Sequence, residues 1–246
     1  MNTNKQAASI SNASRFRKTA IIVGILFIYG TVAGILSVVF TMPILNASDY
    51  LAKVAVNGNH IIIGALLILT MGLALAMVPV MMFPIFKKHN EVLALGYVVF
   101  RGALETFTSI VIAISWLLLL PLSQEYIKAG ALNASHFQTL GTLLLGVANL
   151  PMPVFVFSLG ALIFYFLLYQ SNLIPRWLSV WGLIAIIMHL ATGFLVIFGL
   201  QTSFDTSNFI MNFPIFLQEM VMAVWMIVKG FNPSAIASGS AKTDVN

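Results

Sequence analysis

The amino-acid sequence predicts an all-α polytopic membrane protein, a bundle of six transmembrane helices with both termini cytoplasmic. Three observations carry that prediction. Hydrophobic residues make up 60% of the 246 and mean hydropathy is +0.99, well beyond the roughly 45–50% apolar content of soluble domains. Six stretches reach the length of about 20 mostly apolar residues that crosses a bilayer as helix. The basic residues are divided unequally between alternate loops, which is the signature that orients such a chain.

Residues 1–18 form a cytoplasmic N-terminal segment that ends in Arg15, Arg17 and Lys18. The transmembrane domain covers residues 19–231. Its first helix, Thr19 to Thr41, is too long for the apolar core of a cleaved signal peptide and is expected to stay as an anchor. Within it, Gly30-Thr-Val-Ala-Gly34 is a small-xxx-small pattern that lets a second helix approach closely, and packing inside the bundle is the favoured reading over dimerisation. The second helix, Ile61 to Phe86, carries Pro79 and Pro84 near its cytoplasmic end, where each is expected to kink it. The third, Val92 to Leu120, contains Arg101 and Glu105. The fourth, Leu140 to Tyr169, is interrupted by Asn149-Leu-Pro151-Met-Pro153. The fifth, Leu178 to Leu200, begins beside Trp177 and Trp181, interfacial anchors by type, and contains His189. The sixth, Asn212 to Val228, contains Glu219. Residues 232–246 are rich in Ser, Ala and Gly, a composition expected to give a disordered cytoplasmic tail.

With the N-terminus inside, one face receives Lys5, Arg15, Arg17, Lys18, Lys87, Lys88, Arg176, Lys229 and Lys242, and the other receives Lys53 and Lys128. The positive-inside rule therefore places both termini in the cytoplasm. The formal charge of +5 is spread over these loops instead of gathered on one domain, so nucleic acid is not an expected partner; the lipid bilayer is. The loops on the opposite face are too short to hold a soluble catalytic domain. With no cysteine in the chain, disulfides, thiolate metal ligands and cysteine nucleophiles are excluded.

Function is sought where charge enters the apolar spans. A charged side chain at mid-membrane costs roughly 2.5–3.5 kcal/mol on insertion scales, and such residues usually face the protein interior and mark ion, proton or substrate sites. Arg101 and Glu105 are one turn apart and share a helix face. At about 1.5 Å per residue, Glu105, His189 and Glu219 all fall near mid-span, with Arg101 roughly 6 Å nearer the cytoplasm. One arginine against two glutamates leaves one uncompensated negative charge. Glu105 has Arg101 beside it, so Glu219 is the glutamate expected to gain and lose a proton. The competing reading is a structural one, in which the three charges only hold the third helix to the sixth; interhelical polar contacts do this at about 0.6 kcal/mol each.

A second pointer is the proline pair in the fourth helix. Pro151 and Pro153 free the carbonyls of Val147 and Asn149, and broken helices often build midplane binding sites in transporters. Asn149 would then be a donor into a cavity; the plainer reading is a kink satisfied by neighbouring helices. His189 stands without a His-x-x-x-His or Glu-x-x-His partner. A metal site from Glu105, His189 and Glu219 is chemically conceivable, but a hydrogen-bonded packing role or a proton relay is preferred, and no metal or cofactor is expected. Neither a Gly-x-Ser-x-Gly elbow nor a Walker-type phosphate loop occurs, which argues against a serine hydrolase and an NTPase.

Three separated stretches occur in order: Lys88-His-Asn-Glu91 leading to Phe100-Arg-Gly-Ala-Leu-Glu105, then Tyr169-Gln-Ser-Asn-Leu-Ile-Pro-Arg-Trp-Leu-Ser-Val-Trp-Gly-Leu183, then Leu217-Gln-Glu-Met-Val-Met-Ala-Val-Trp-Met-Ile-Val-Lys-Gly-Phe231. Together they resemble a bacterial multipass family catalogued as domain of unknown function 4386. The resemblance implies a six-helix bacterial inner-membrane protein and supplies no activity; the family's intramembrane arginine and acids match Arg101, Glu105 and Glu219, and His189 matches no motif. The expected function is a small-solute transporter or binder with a midplane polar cluster, coupled to protons through Glu219, with Arg101 as anion or counter-ion contact. The alternatives are a membrane scaffold or sensor, which would expose the Gly30/Gly34 face to a partner, and a membrane-embedded enzyme on a lipid or isoprenoid, which would need a lateral opening at Glu105.

Overall fold

A computed structural model describes residues 2–130, 134–202 and 205–236, with side chains from residue 14 onward. Among the described residues the regular structure is entirely helical: α1 (Asn2–Leu45), α2 (Tyr50–Val56), α3 (Gly58–Phe86), α4 (Glu91–Tyr97), a π-helical segment (Val98–Leu104), α5 (Glu105–Ala129), α6 (Ala134–Ala148), α7 (Met152–Ser171), α8 (Arg176–Ile197) and α9 (Thr206–Val228). Six helical stretches are long and apolar enough to span a membrane: Ser14–Leu45, Gly58–Phe86, Glu91–Ala129, Ala134–Ser171, Arg176–Ile197 and Thr206–Val228. Each overlaps one of the six expected from the sequence. An even number of crossings returns the chain to the face where it began. That face is called terminal below, and the opposite one far.

The helix ends follow local chemistry. Asn90 accepts the Leu93 N–H at 3.0 Å as the N-cap of α4, with Glu91 in the first turn, where a carboxylate suits the exposed amide dipoles. Asn172 ends α7 in the left-handed region at φ 54°, a conformation asparagine tolerates, and Pro175 precedes the first residue of α8. The Asn149–Pro151 stretch breaks the fourth span outright into α6 and α7. Pro151 has no N–H for Val147, and the Leu150 N–H reaches that carbonyl only at 3.4 Å.

In lipid there is little hydrophobic drive between helices, so small residues and close packing decide which helices meet. Gly30 and Gly34 of α1 face Leu75 and Met71 of α3, so this pattern packs inside the bundle as expected. Going round the bundle, α1 packs on α3, α3 on α5, α7 on the π segment and on α8, α8 on α9, and α9 back on α1. The fit is densest near the terminal face. There Phe27, Met82, Phe86, Tyr97, Phe164, Tyr165, Met222 and Met226 belong to one continuous buried core. The far-half core is smaller, built from Ile44, Leu45, Leu51, Val54, Ile61 and Leu119 of α1, α2, α3 and α5. Beyond the break, α6 leans on α5, with at most marginal contact to α8 or α9 among the described residues.

The terminal face is sewn together by Arg17, whose guanidinium donates to the carbonyls of Met226 at 2.9 Å and Ile227 at 2.6 Å at the end of α9. A cation there meets the negative end of the helix dipole. Gly230 then turns the chain at φ 76°, which brings the Asn232 N–H to the Leu173 carbonyl at 2.9 Å and buries Phe231 and Ala235. Of the tail expected to be disordered, residues 232–236 are thus held as a helical turn against the core by these two apolar side chains; the rest lies outside the described residues.

Candidate functional site: a buried arginine held by two glutamates

The cluster begins with an irregular helix. Between α4 and α5 the backbone is π-helical over Val98–Leu104, and the Glu105 N–H donates to the Phe100 carbonyl five residues back. Such wide turns are rare and recur at functional sites. This one carries Arg101 and hands over to α5 at Glu105. Arg101 Nη1 donates to both carboxylate oxygens of Glu105 at 2.9 Å. On its other side, Nη2 lies 3.5 Å from Oε1 of Glu219 on α9. Side-chain exposure is 3% for Arg101, 9% for Glu105 and 15% for Glu219, so Glu219 is both the more loosely held and the more accessible acid.

Aromatic rings complete the cage. The guanidinium carbon lies 4.5 Å from the Phe157 ring centroid and 5.7 Å from that of Phe27. Cation–π attraction of this kind strengthens when both partners are desolvated. Tyr97 is stacked on Phe164 at 5.0 Å, and its buried hydroxyl faces the Arg101 guanidinium, with Glu105 and Glu219 also within electrostatic range. Nearby, Tyr165 donates to Gln218 Oε1 at 2.6 Å, and Gln218 Nε2 donates to the Leu178 carbonyl at 3.0 Å. That fully satisfied pair ties α7, α8 and α9 together behind the cluster.

Gly160 of α7 makes the cluster geometrically feasible. A Cβ there would sit 3.1 Å from the Arg101 nitrogen, 3.2 Å from its Cβ and 3.4 Å from its Cα. Glycine lets α7 lie against the π segment without the tight contact that a side chain would make there. In the same way Gly182 of α8 leaves room for the Tyr165 ring.

Of the five residues singled out in the sequence, three meet: Arg101, Glu105 and Glu219. His189 does not join them. Its Nδ1 is 2.6 Å from Asn212 Oδ1 on α9, and Asn212 Nδ2 in turn donates to Asn208 Oδ1 at 2.6 Å. Thr192 donates to the His189 carbonyl at 2.7 Å and approaches Asn212 Oδ1 at 3.4 Å. The link between the two groups is Phe157, whose ring lies 5.1 Å edge-on from His189 and under Arg101. Asn149 goes elsewhere. It is exposed at the break between α6 and α7, and the expected cavity donor is not at the cluster. Among the described residues no three His, Asp or Glu side chains gather as metal ligands.

Asn208, Asn212, Thr192 and the aromatic wall of Phe27, Tyr97 and Phe157 escaped the sequence reading. A usable signal existed for two of them: Asn208, Asn212 and Glu219 follow at intervals of four and seven, which is one helix face.

No curated protein and no solved structure matches the chain. A family model described as Domain of unknown function (DUF4386) matches residues 22–230, a span that holds all three charged residues of the cluster, the Gly160 that seats it and the His189–Asn212 pair. The chain therefore belongs to the DUF4386 family of multipass membrane proteins.

Proposed function

We propose that the protein is a small-solute transporter or binder of a bacterial inner membrane, with both termini cytoplasmic, and that Glu219 exchanges a proton during its cycle. The observation that carries this reading is the unequal grip of Arg101 on its two acids. Glu105 takes two 2.9 Å bonds, both from Nη1. Glu219 is left with one longer contact and the greatest exposure of the three. With one cation for two acids, a proton on Glu219 removes the excess charge without disturbing the Arg101–Glu105 pair, and its loss restores the full attraction to Nη2. A solute carrying its own negative charge would compete with Glu219 for that same nitrogen.

The other readings have less behind them. A scaffold acting through the Gly30/Gly34 face would need that face free, and α3 covers it. An enzyme using Glu105 as acid or base would need it reachable, whereas both its oxygens are committed to Arg101. The surplus of basic residues in the loops on the terminal face supports the cytoplasmic placement.

The test is difference infrared spectroscopy on purified protein in lipid nanodiscs. The expected result is a carboxylic-acid band that appears and disappears with pH in the wild type, is missing from Glu219→Gln, and moves to lower pH in Glu105→Gln, where one acid is left for one cation. Carboxylates that never titrate, or a band that survives in Glu219→Gln, would remove the proton-carrier role and leave a structural clamp.

A further inference from the structure

The two halves of the bundle are built differently on either side of Glu219. Toward the terminal face, the inward side of α9 continues as Met222, Ala223 and Met226, all fully buried. They pack into the large core with Tyr97, Phe164 and Tyr165. Toward the far face, the same side of α9 is polar. Asn208 and Asn212 lie within about 40° of Glu219 around the helix at roughly 100° per residue. Asn208 is in the first turn of α9, whose first residue is Thr206.

Ile215 takes the turn between Asn212 and Glu219, and there the neighbouring helix supplies the polar group. His189 lies about 20 Å along α8 from the terminal face, between Asn212 and Glu219, which stand roughly 24 Å and 14 Å from the same end of α9 at 1.5 Å per residue. The orientation of the Asn212 amide follows from its two bonds: its nitrogen donates to Asn208, so its oxygen faces His189. The neutral imidazole must then carry its hydrogen on Nδ1 and leave Nε2 as an acceptor. On the far side of the break, α6 packs on α5.

We propose that the half-buried Asn212 and His189 line a hydrated path from the far face to Glu219, with the buried Thr192 and Asn208 bonded behind them, sealed toward the terminal face by Met222 and Met226, so that this conformation is the far-open one. The path takes water, hydrated protons and small hydrogen-bonding solutes. Phe157, in contact with both the His189 ring and the guanidinium, is the last apolar body before Arg101. The inference deepens the transport reading and rests on it for its purpose, but the path itself is measured separately.

Because the chain has no cysteine, single cysteines report without background. Thiol reagents attack the thiolate, which forms in water and not in lipid or a dry core. Full-length Asn212→Cys, His189→Cys and Met226→Cys are reconstituted in liposomes and treated from each face with a charged, membrane-impermeant methanethiosulfonate, with monodispersity confirming the fold. Modification of Asn212→Cys or His189→Cys from the far face, with Met226→Cys untouched from either face, is the expected result. Two variants are used so that loss of the Asn212 bonds, if it spoils folding, leaves His189→Cys to decide. Failure of both to react from the far face, or modification of Met226→Cys from the terminal face, overturns the path. The infrared titration of the wild type is independent: a titrating Glu219 without labelling sinks only the path, and labelling without titration sinks only the proton carrier.

Discussion

At the residue scale the three charges are not equivalent, and their removal should show it. Removing one partner of a buried ion pair leaves an uncompensated charge and typically costs about 3–5 kcal/mol. Arg101→Met strands two glutamates beside each other and is expected to lose at least that much, seen as failure to purify monodisperse or a large fall in thermal transition. Glu105→Gln should also be costly, since it takes a carboxylate from a guanidinium that is 3% exposed. Glu219→Gln should be mild, because Arg101 keeps its two-pronged bond to Glu105. Thermal unfolding of the three variants in one detergent checks the order; a Glu219→Gln as unstable as Glu105→Gln would contradict it. A different residue governs acid behaviour at the far face. Asp205, ahead of α9, accepts the Thr202 N–H at 2.6 Å and its hydroxyl at 2.8 Å. These bonds favour the charged form and hold its carboxyl below the ordinary range. Its folded value being the lower one, its contribution is fully present above the ordinary carboxylate value of about 3.9 and is lost as pH falls through the folded value. The thermal difference between wild type and Asp205→Asn should accordingly be present at neutral pH and vanish in acid.

At the element scale the decisive contact is α7 against the π segment. The atoms that a Gly160 side chain would meet are the Arg101 nitrogen, Cα and Cβ, which no change of rotamer can move away. Gly160→Ala should force the helices apart and cost about 1–3 kcal/mol, the usual range for overpacking. Gly96→Ala is the control: its Cβ would meet only Ile163 Cδ1, at 3.3 Å, the free end of a side chain that can move. Equal thermal shifts in the two variants would mean that the Gly160 contact has no special role. The same elements show what a sequence can and cannot tell. Six spans were legible because length and apolarity alone determine them; at Pro151 the missing N–H made a disturbed helix legible, but a kink was the plainer reading and the helix breaks outright. The Arg101–Glu105 pair was legible from spacing and the approach of Glu219 from common depth. The rotation of each helix about its axis was not, since spans apolar on all sides give no face to read, and that is why Asn149 was expected inside and is found outside. Nor does Val-Val-Phe-Arg-Gly-Ala-Leu announce a π-helix, because the wider turn is set by what α7 and α3 press against it. The first span, expected from Thr19, runs from Ser14, within a helix that begins at Asn2.

At the scale of the whole molecule, the contrast between a tight terminal half and a loosely joined far half should appear as unequal local stability. Opening free energies track local burial and packing: elements with few buried contacts open at small cost, and core elements only with the whole fold. The two halves of the fourth span make the comparison internal, since α6 and α7 are consecutive and both apolar. In α7, Ser158, Gly160, Ala161, Phe164, Tyr165, Leu167, Leu168 and Ser171 are buried; in α6 only Gly141 and Ala148 are. Hydrogen–deuterium exchange followed by mass spectrometry in nanodiscs should therefore show peptides from 134–148 exchanging faster than those from 152–171. Because exchange requires water at the opened amide, a bilayer that merely wrapped both halves alike would protect them equally. Equal protection would mean that lipid or a second chain closes the far half, and the asymmetry on which the far-open conformation depends would be absent in the membrane. Faster exchange in α6, together with slow exchange at 220–228 of α9, would place the hydrated side of the protein on the same side of Glu219 as Asn212.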